Sequence, residues 1–100
     1  MAIPKFLQSA LWSYNLENMD INNKADKRII IEQILNFGTW KQLKWLINNC
    51  SWREIKQIIK NPSPGLWMED SLNYWLIFFG IKLSNAKKEK AIFNLWPKST

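Results

Sequence analysis

Apolar residues recur along this chain at intervals of three and four, the spacing of one face of an α-helix. Over 52–60, Trp52, Ile55, Ile58 and Ile59 form one stripe, and Arg53, Lys56, Gln57 and Lys60 form the opposite one. That predicts a two-faced helix with one side inward. Between residues 29 and 35, Ile29, Ile30, Ile31, Ile34 and Leu35 occupy more than half of the helical circumference. Such a helix is expected to be buried on several sides. The 72–79 stretch reads the same way, with Leu72, Tyr74, Trp75, Leu76, Ile77, Phe78 and Phe79. In 40–48, Trp40, Leu43, Leu46 and Ile47 share a face, and Trp45 points nearly the other way, beside Lys41 and Asn48. Strict alternation is absent, and no Asn-Gly or Asp-Gly pair marks a hairpin.

Stop and start signals divide the pattern. Gly38 and Gly80 each follow an apolar stretch, where a left-handed helix cap favours glycine. Thr39 with Gln42, and Ser51 with Glu54, have capping-box spacing. Asp20 and Ser84 precede two further stretches, and Pro97 closes the last. The prediction is an all-α, compact bundle of about five helices, near 21–36, 40–48, 52–60, 68–79 and 85–95, after a short N-terminal element around 5–18. Residues 1–100 form a single domain, and the basic 82–100 segment either docks on the core or lies at its periphery. Within Asn61-Pro62-Ser63-Pro64-Gly65, the Pro62–Gly65 loop is the only candidate hinge.

Composition changes this picture mainly by exclusion. At 100 residues, 47% apolar and 22% charged, the chain can bury one core and is not disordered. It has no histidine, so neither a Ser-His-Asp nor a Cys-His centre can be assembled, and the commonest zinc ligand is missing. Cys50 is the single cysteine, which precludes an internal disulfide, and it reads as a small semi-buried apolar residue in a reducing compartment. Glu69 and Asp70 stand at a helix start, where they offset the macrodipole. No phosphate-cradling glycine loop is present. These absences argue against an enzyme, a cofactor or a metal site. The longest apolar run, Trp75 to Phe79, falls far short of the roughly 20 residues of a membrane span. Met1-Ala2-Ile3-Pro4-Lys5 lacks the layout of a secretory signal, so a cytoplasmic location is expected.

The net charge of +6 is unevenly placed. Residues 1–38 are neutral, 39–62 carry +4, 63–81 carry −2 and 82–100 carry +4. Two basic segments thus form either an electrostatic footprint for nucleic acid or an acidic protein, or the solvated exterior of helices. The excess of lysine over arginine favours the solvated reading, since arginine is the residue for bidentate phosphate and base contacts. Residues 40–60 outline a helix-turn-helix-like pair around Asn48-Asn49-Cys50-Ser51. The outline fails in packing, because Trp45 stands where close helix crossing needs a small residue. Were the pair to bind DNA or RNA, Arg53, Lys56 and Lys60 would face the ligand, with Lys87 and Lys88 adding charge from the C-terminal segment.

Seven tryptophans are many for one small core. Trp45, flanked by Lys41 and Lys44, is either an exposed anchor for a protein partner or is packed against another element; Trp12 and Trp96, near the two ends, carry the same pair of readings.

Several short stretches together resemble a known small bacterial domain. They are Leu11-Trp12-Ser13-Tyr14, Asp20, the run from Arg28 to Gly38, Trp45-Leu46-Ile47, Arg53-Glu54-Ile55, and Leu72-Asn73-Tyr74-Trp75 through Gly80-Ile81. The resemblance covers roughly residues 10–81. That domain has no assigned biochemical activity and is commonly encoded beside a nucleotidyltransferase toxin of the abortive-infection type. The resemblance implies an antitoxin-like, non-enzymatic protein that binds and neutralises its toxin. It also implies tryptophan at the Trp45 position, which favours a packing role there. The chain departs from the pattern at Ser13, where the family commonly has Asp, in an expanded Pro62–Leu66 loop, and in the 82–100 tail. The alternative is a small basic DNA- or RNA-binding regulator using the 52–60 helix. Both readings place the function in contact between rings and positive charges.

Overall fold

The computed structural model describes residues 3–92. Two short 3-10 turns, Lys5–Leu7 and Leu16–Asn18, lead into helices α1 (Lys24–Phe37), α2 (Trp40–Asn49), α3 (Trp52–Lys60), α4 (Glu69–Phe79) and α5 (Asn85–Ala91). Over the described residues the fold is the expected all-α bundle, with five helices. Among the described residues the only β feature is an isolated parallel bridge between Trp67 and Ile92. No helix among them is long and apolar enough to cross a membrane.

The central helix is α1. Ile30, Ile31, Glu32, Gln33, Ile34 and Leu35 are all buried, so every side of its middle turns is covered. α2, α3 and α4 each pack on it. α2 and α3 are linked by Cys50-Ser51 and share α1 as their support. The helix-turn-helix outline therefore exists, but its two helices are positioned by a third. Leu7 and Leu11 from the N-terminal turns, Leu46, Ile55, Ile59, Trp67 and Leu72 complete the core.

Both predicted capping boxes form. The Gln42 N–H donates to Thr39 Oγ1 and the Thr39 N–H to Gln42 Oε1, at 3.3 and 2.8 Å. The Glu54 N–H donates to Ser51 Oγ and the Ser51 N–H to Glu54 Oε1, each at 3.1 Å. Ser84 caps α5 by accepting from the Lys87 N–H. Gly80 takes the left-handed conformation, φ 64°, as a helix stop requires.

Four expectations about the elements need correction. α1 starts three residues later than 21: Asn23 is its cap, while Asp20 accepts from the Asn22 N–H in a preceding turn. Gly38 is extended, not left-handed; a side chain there would sit 2.5 Å from the Ile34 carbonyl oxygen, so close approach is what demands glycine. The last helix ends at Ala91 and not at 95. The Lys90 and Ala91 carbonyls accept instead from the N–H groups of Gly65 and Trp67, at 2.8 and 2.9 Å, which draws Ile92 out beside Trp67. Ala91 is buried, so this part of the basic C-terminal segment is docked. The expected hinge at 61–65 is tied down as well.

That tie is a buried carboxyl group. Glu32 is 1% exposed and lies on α1 facing the 61–67 loop. It accepts from the Ser63 N–H at 2.9 Å, the Ser63 hydroxyl at 2.6 Å and the Trp67 indole N–H at 2.6 Å. Arg28, one turn earlier, donates to Ser63 Oγ at 2.9 Å and to the Asn61 carbonyl. One turn later, Asn36 accepts from the Met68 N–H at 2.9 Å, and its backbone carbonyl accepts from the Ser71 hydroxyl. The loop and the start of α4 thus hang on three successive turns of α1.

Removing the Glu32 carboxylate leaves three donors without their acceptor, the buried Trp67 indole N–H and the part-buried Ser63 N–H and hydroxyl; a buried donor left unsatisfied costs on the order of 1–3 kcal/mol. Glu32→Ala should therefore lower the unfolding free energy by about 3 kcal/mol in a urea titration, and Glu32→Gln by less. A loss below about 1 kcal/mol for Glu32→Ala would contradict this account of the loop.

Candidate functional site

α4 is apolar around most of its circumference, yet its main helix packing is against α1 and α3. Leu72, Trp75 and Leu76 face the core. Tyr74, Ile77 and Phe78 face outward; Ile77 is 81% exposed. This corrects the expectation of a helix buried on several sides: the apolar pattern was right, but the cover is one-sided. Trp52, at the first turn of α3 and predicted on its inner stripe, is also turned out. Its ring lies 5.5 Å from Phe79, edge-on, and 6.1 Å from Phe78. Phe78 in turn stacks on Tyr74, centroid to centroid at 6.3 Å. Trp52, Tyr74, Ile77 and Phe78 therefore make one continuous apolar surface where the start of α3 meets the end of α4. Exposed ring clusters of this kind mark interaction surfaces.

Past Gly80 this surface runs into lysines. Ile77, Gly80, Ile81 and Leu83 line an open cleft of about 700 Å³ that also touches Lys82 and Lys88. Gly80, Ile81, Lys82 and Leu83 form one wall of a neighbouring cleft of about 450 Å³, whose other wall carries Lys56, Lys60, Asn61 and Lys87. Two basic segments far apart in sequence, 39–62 and 82–100, thereby meet across one opening. The left-handed turn at Gly80 brings Lys82 there; the Ser84 cap starts α5 so that Lys87 follows. On α3, Trp52, Lys56 and Lys60 are four residues apart, so the ring and both lysines share one helical face.

Of the nucleic-acid candidates, Lys56, Lys60 and Lys87 converge on this opening. Lys88 lines the adjoining cleft, and Arg53 is exposed on α3 but lines neither. The partner-binding candidates do not converge. Trp45 is half-buried and packs against the core, the second of its two readings. Trp40, expected to face inward, is 68% exposed, with the Lys44 ammonium 5.9 Å above its ring. The reason is Gln42. Its amide donates to the Phe6 carbonyl at 2.7 Å and to Ser9 Oγ at 2.8 Å, which turns the Gln42–Trp45–Leu46 side of α2 inward. Trp40 lies roughly opposite Gln42 on the helix, so it turns out. Lys41 is exposed. Trp12 is exposed and meets Phe37 edge-on at 4.8 Å, at a separate place. Trp96 lies outside the described residues. Sequence reasoning missed Tyr74, Ile77, Phe78 and Lys82; the signal for them was the surplus of apolar positions on 72–79 over what one neighbouring layer can cover.

Cys50 is buried beneath α3, and burial pushes its thiol above the usual cysteine range. This suits a packing role and not a reactive one. α3 is held to α1 by a Lys27–Glu54 ion pair. The hydrogen bond from Lys27, with help from the Ser51 backbone, holds the Glu54 carboxyl below the ordinary value of 4.5. The same hydrogen bond to Glu54 raises Lys27 above 10.5. A depressed carboxyl stabilises the fold above its ordinary value and loses that effect as pH falls through the folded value. A raised ammonium stabilises below 10.5 and loses the effect at higher pH. The pair is thus intact between those limits, and because both side chains are partly exposed it is worth less than about 1 kcal/mol. Going from pH 7 to pH 3, the wild type should lose up to that much more stability than Glu54→Gln, read as urea midpoints. Equal losses in the two proteins would show that the pair does not hold α3.

Among known proteins, a family model matches residues 6–59, described as a family of unknown function (DUF6922). The matched stretch ends at Ile59, inside α3, so it includes Lys56 but not α4, nor Lys60, Lys87 and the Gly80–Leu83 wall of the lysine cleft. It is shorter than the 10–81 span of the resemblance. No curated protein and no solved structure matches the chain.

Proposed function

The chain belongs to the DUF6922 family of unknown function, and from that premise we propose that it is a non-enzymatic, antitoxin-like binding protein whose Trp52–Tyr74–Ile77–Phe78 surface docks on a protein partner. The observation that carries the reading is the unbroken passage from that surface into the lysine-lined cleft. Trp and Tyr are the residues that dominate binding energy at protein interfaces, where neighbouring groups exclude water from them. Lysines at the edge select a partner with an apolar depression bordered by acidic groups, and they speed its capture. On this reading the partner is a nucleotidyltransferase-type toxin. Placed at a phosphate-handling site, Lys56, Lys60, Lys82 and Lys87 would compete there with RNA or nucleotide.

Co-expression with the product of the neighbouring gene, on this reading a nucleotidyltransferase, should give a stoichiometric complex on size exclusion. Ile77→Asp and Phe78→Asp place a charge on exposed positions, so helicity by circular dichroism should stay unchanged while affinity falls about a hundredfold or more. No complex at low salt, or complexes indifferent to both variants, would remove this reading.

One observation favours a second reading, a DNA- or RNA-binding regulator: Lys56, Lys60 and Lys87 come together with Lys82 at one opening. A nucleic-acid ligand would release counterions, so affinity would fall steeply with salt. Lys56→Ala and Lys60→Ala should then each reduce the log–log salt slope by about one. Absence of any mobility shift at low salt with DNA from its own promoter or with RNA would eliminate it.

A further inference from the structure

Two places on this molecule leave large apolar groups uncovered. One is a cavity of about 270 Å³ bordered by Trp12, Gln33, Phe37 and Met68; it is lined among the described residues by uncharged groups, so it has no charge by which to select an occupant. The other is the α3–α4 surface, and there the charges have a direction. Glu69 and Asp70 lie exposed at the start of α4, and Lys82 lies exposed just past its end. Residues 63–81 carry −2 and 82–100 carry +4, so the surface runs from an acidic segment into a basic one. The ion pairs among the described residues, Lys27–Glu54 and Arg28–Glu32, leave Glu69, Asp70, Lys82 and Lys88 without a counter-charge.

Position on the helix puts these charges on the exposed face. Glu69, Asn73 and Ile77 follow one another at intervals of four, and Asp70, Tyr74 and Phe78 form the next row. Asn73, Ile77, Lys82 and Lys88 line one cleft. In chain order the face therefore reads acidic, apolar, basic. Such a strip is complementary to itself when reversed. If a second α4 is turned end for end about the midpoint between positions 75 and 76, Tyr74 comes opposite Ile77. The same turn brings Glu69 level with Lys82, since each lies equally far from that midpoint. At +6 per chain two copies repel one another overall, so the arrangement that joins each acidic end to a basic one is the one selected. Area draws the ends in as well. Trp52, Tyr74 and Phe78 are half-exposed rings of roughly 150–250 Å² each, and Ile77 is almost bare. A standard interface takes about 800 Å² from each partner, more than these four groups supply, so the contact has to include the charged ends of α4.

We propose that a second copy of this chain covers the α3–α4 surface, with α4 antiparallel on α4 and the Glu69–Asp70 end of each copy beside Lys82 and Lys88 of the other. The inference takes from the proposed function only that this surface is an interface. It adds that the free protein is a two-fold symmetric dimer, which has to part before another protein docks there.

Sedimentation equilibrium on the full-length protein should show the mass of one chain giving way to that of two, with a dissociation constant of the order of 100 μM or below. Phe78→Asp should hold the protein at one chain with its helicity unchanged. Glu69→Lys and Lys82→Glu, both at exposed positions, should each weaken dimerisation about tenfold, because each turns two attractions into repulsions. Combined in one chain, the two swaps should restore it. Mixed in equal amounts, the two single variants should associate with each other more tightly than either does with itself. The proposal is overturned if the wild type stays a single chain up to about 1 mM, if Phe78→Asp dimerises as the wild type does, or if the double swap is no tighter than the single ones. A single chain that still forms the co-expression complex would overturn the dimer and leave the partner reading standing. A dimer that responds to the swaps but forms no such complex would support the dimer and remove that reading.

Discussion

A helix covered on every side must find a partner for each polar group it carries inward. α1 meets that constraint at Glu32, and much of the molecule follows from how it does so. A buried carboxyl group is costly unless several donors converge on it. Arg28, one turn earlier on the same helix, supplies an ion pair at 3.4 Å, and the hydrogen-bond donors come from outside the helix: the Ser63 backbone and hydroxyl, and the indole of Trp67. Bringing them in folds the proline-rich loop against α1 and seats Trp67 in the core. It also leaves the 65–67 backbone free to take Gly65 and Trp67 N–H bonds to the end of α5. Glu32, with Asn36 one turn on holding the Met68 N–H, thus sets where α4 begins and brings the 65–67 backbone to the end of α5.

With α4 started there, its environment is decided. α1 and α3 reach its Leu72–Trp75–Leu76 side, and its sequence is apolar on the other side too. Full burial of a side chain such as Phe or Ile is worth about 1.5–3 kcal/mol. Tyr74, Ile77 and Phe78 forgo most of that within this chain. A second layer of protein would recover it, which is the physical ground for reading the α3–α4 surface as an interface. The lysines beyond Gly80 then bias which protein supplies that layer.

The cavity at Gln33 differs in kind from that surface. One is broad, charged at its border and made of exposed groups; the other is small and, among the described residues, lined by uncharged groups. Both depend on α1, where Glu32 and Gln33 are adjacent and point to different neighbours. Glu32 holds the loop whose Leu66 and Met68 wall the cavity, so the two features are mechanically joined through consecutive residues of one helix.

Local signals were sufficient for the elements whose causes are local. Thr39 with Gln42, Ser51 with Glu54, Ser84 and Gly80 each act within one turn of backbone, and each behaves as the sequence indicates. The isoleucine-rich 29–35 stretch announced a central helix by itself. The outward turn of Trp40 was not legible, because it follows from Gln42 bonding to Phe6 and Ser9 more than thirty residues away. The same holds for Trp52 and for Tyr74, Ile77 and Phe78. An apolar periodicity states how much surface a helix could bury, whereas the number of neighbouring layers states how much it does bury. Net charge by segment located two lysine-rich stretches, and only the turn at Gly80 and the cap at Ser84 brought them to one opening. Composition and periodicity therefore determined the helices and most of their caps. Which rings face solvent and which lysines meet were decided by long-range packing on α1, since those depend on contacts between residues that the chain itself keeps far apart.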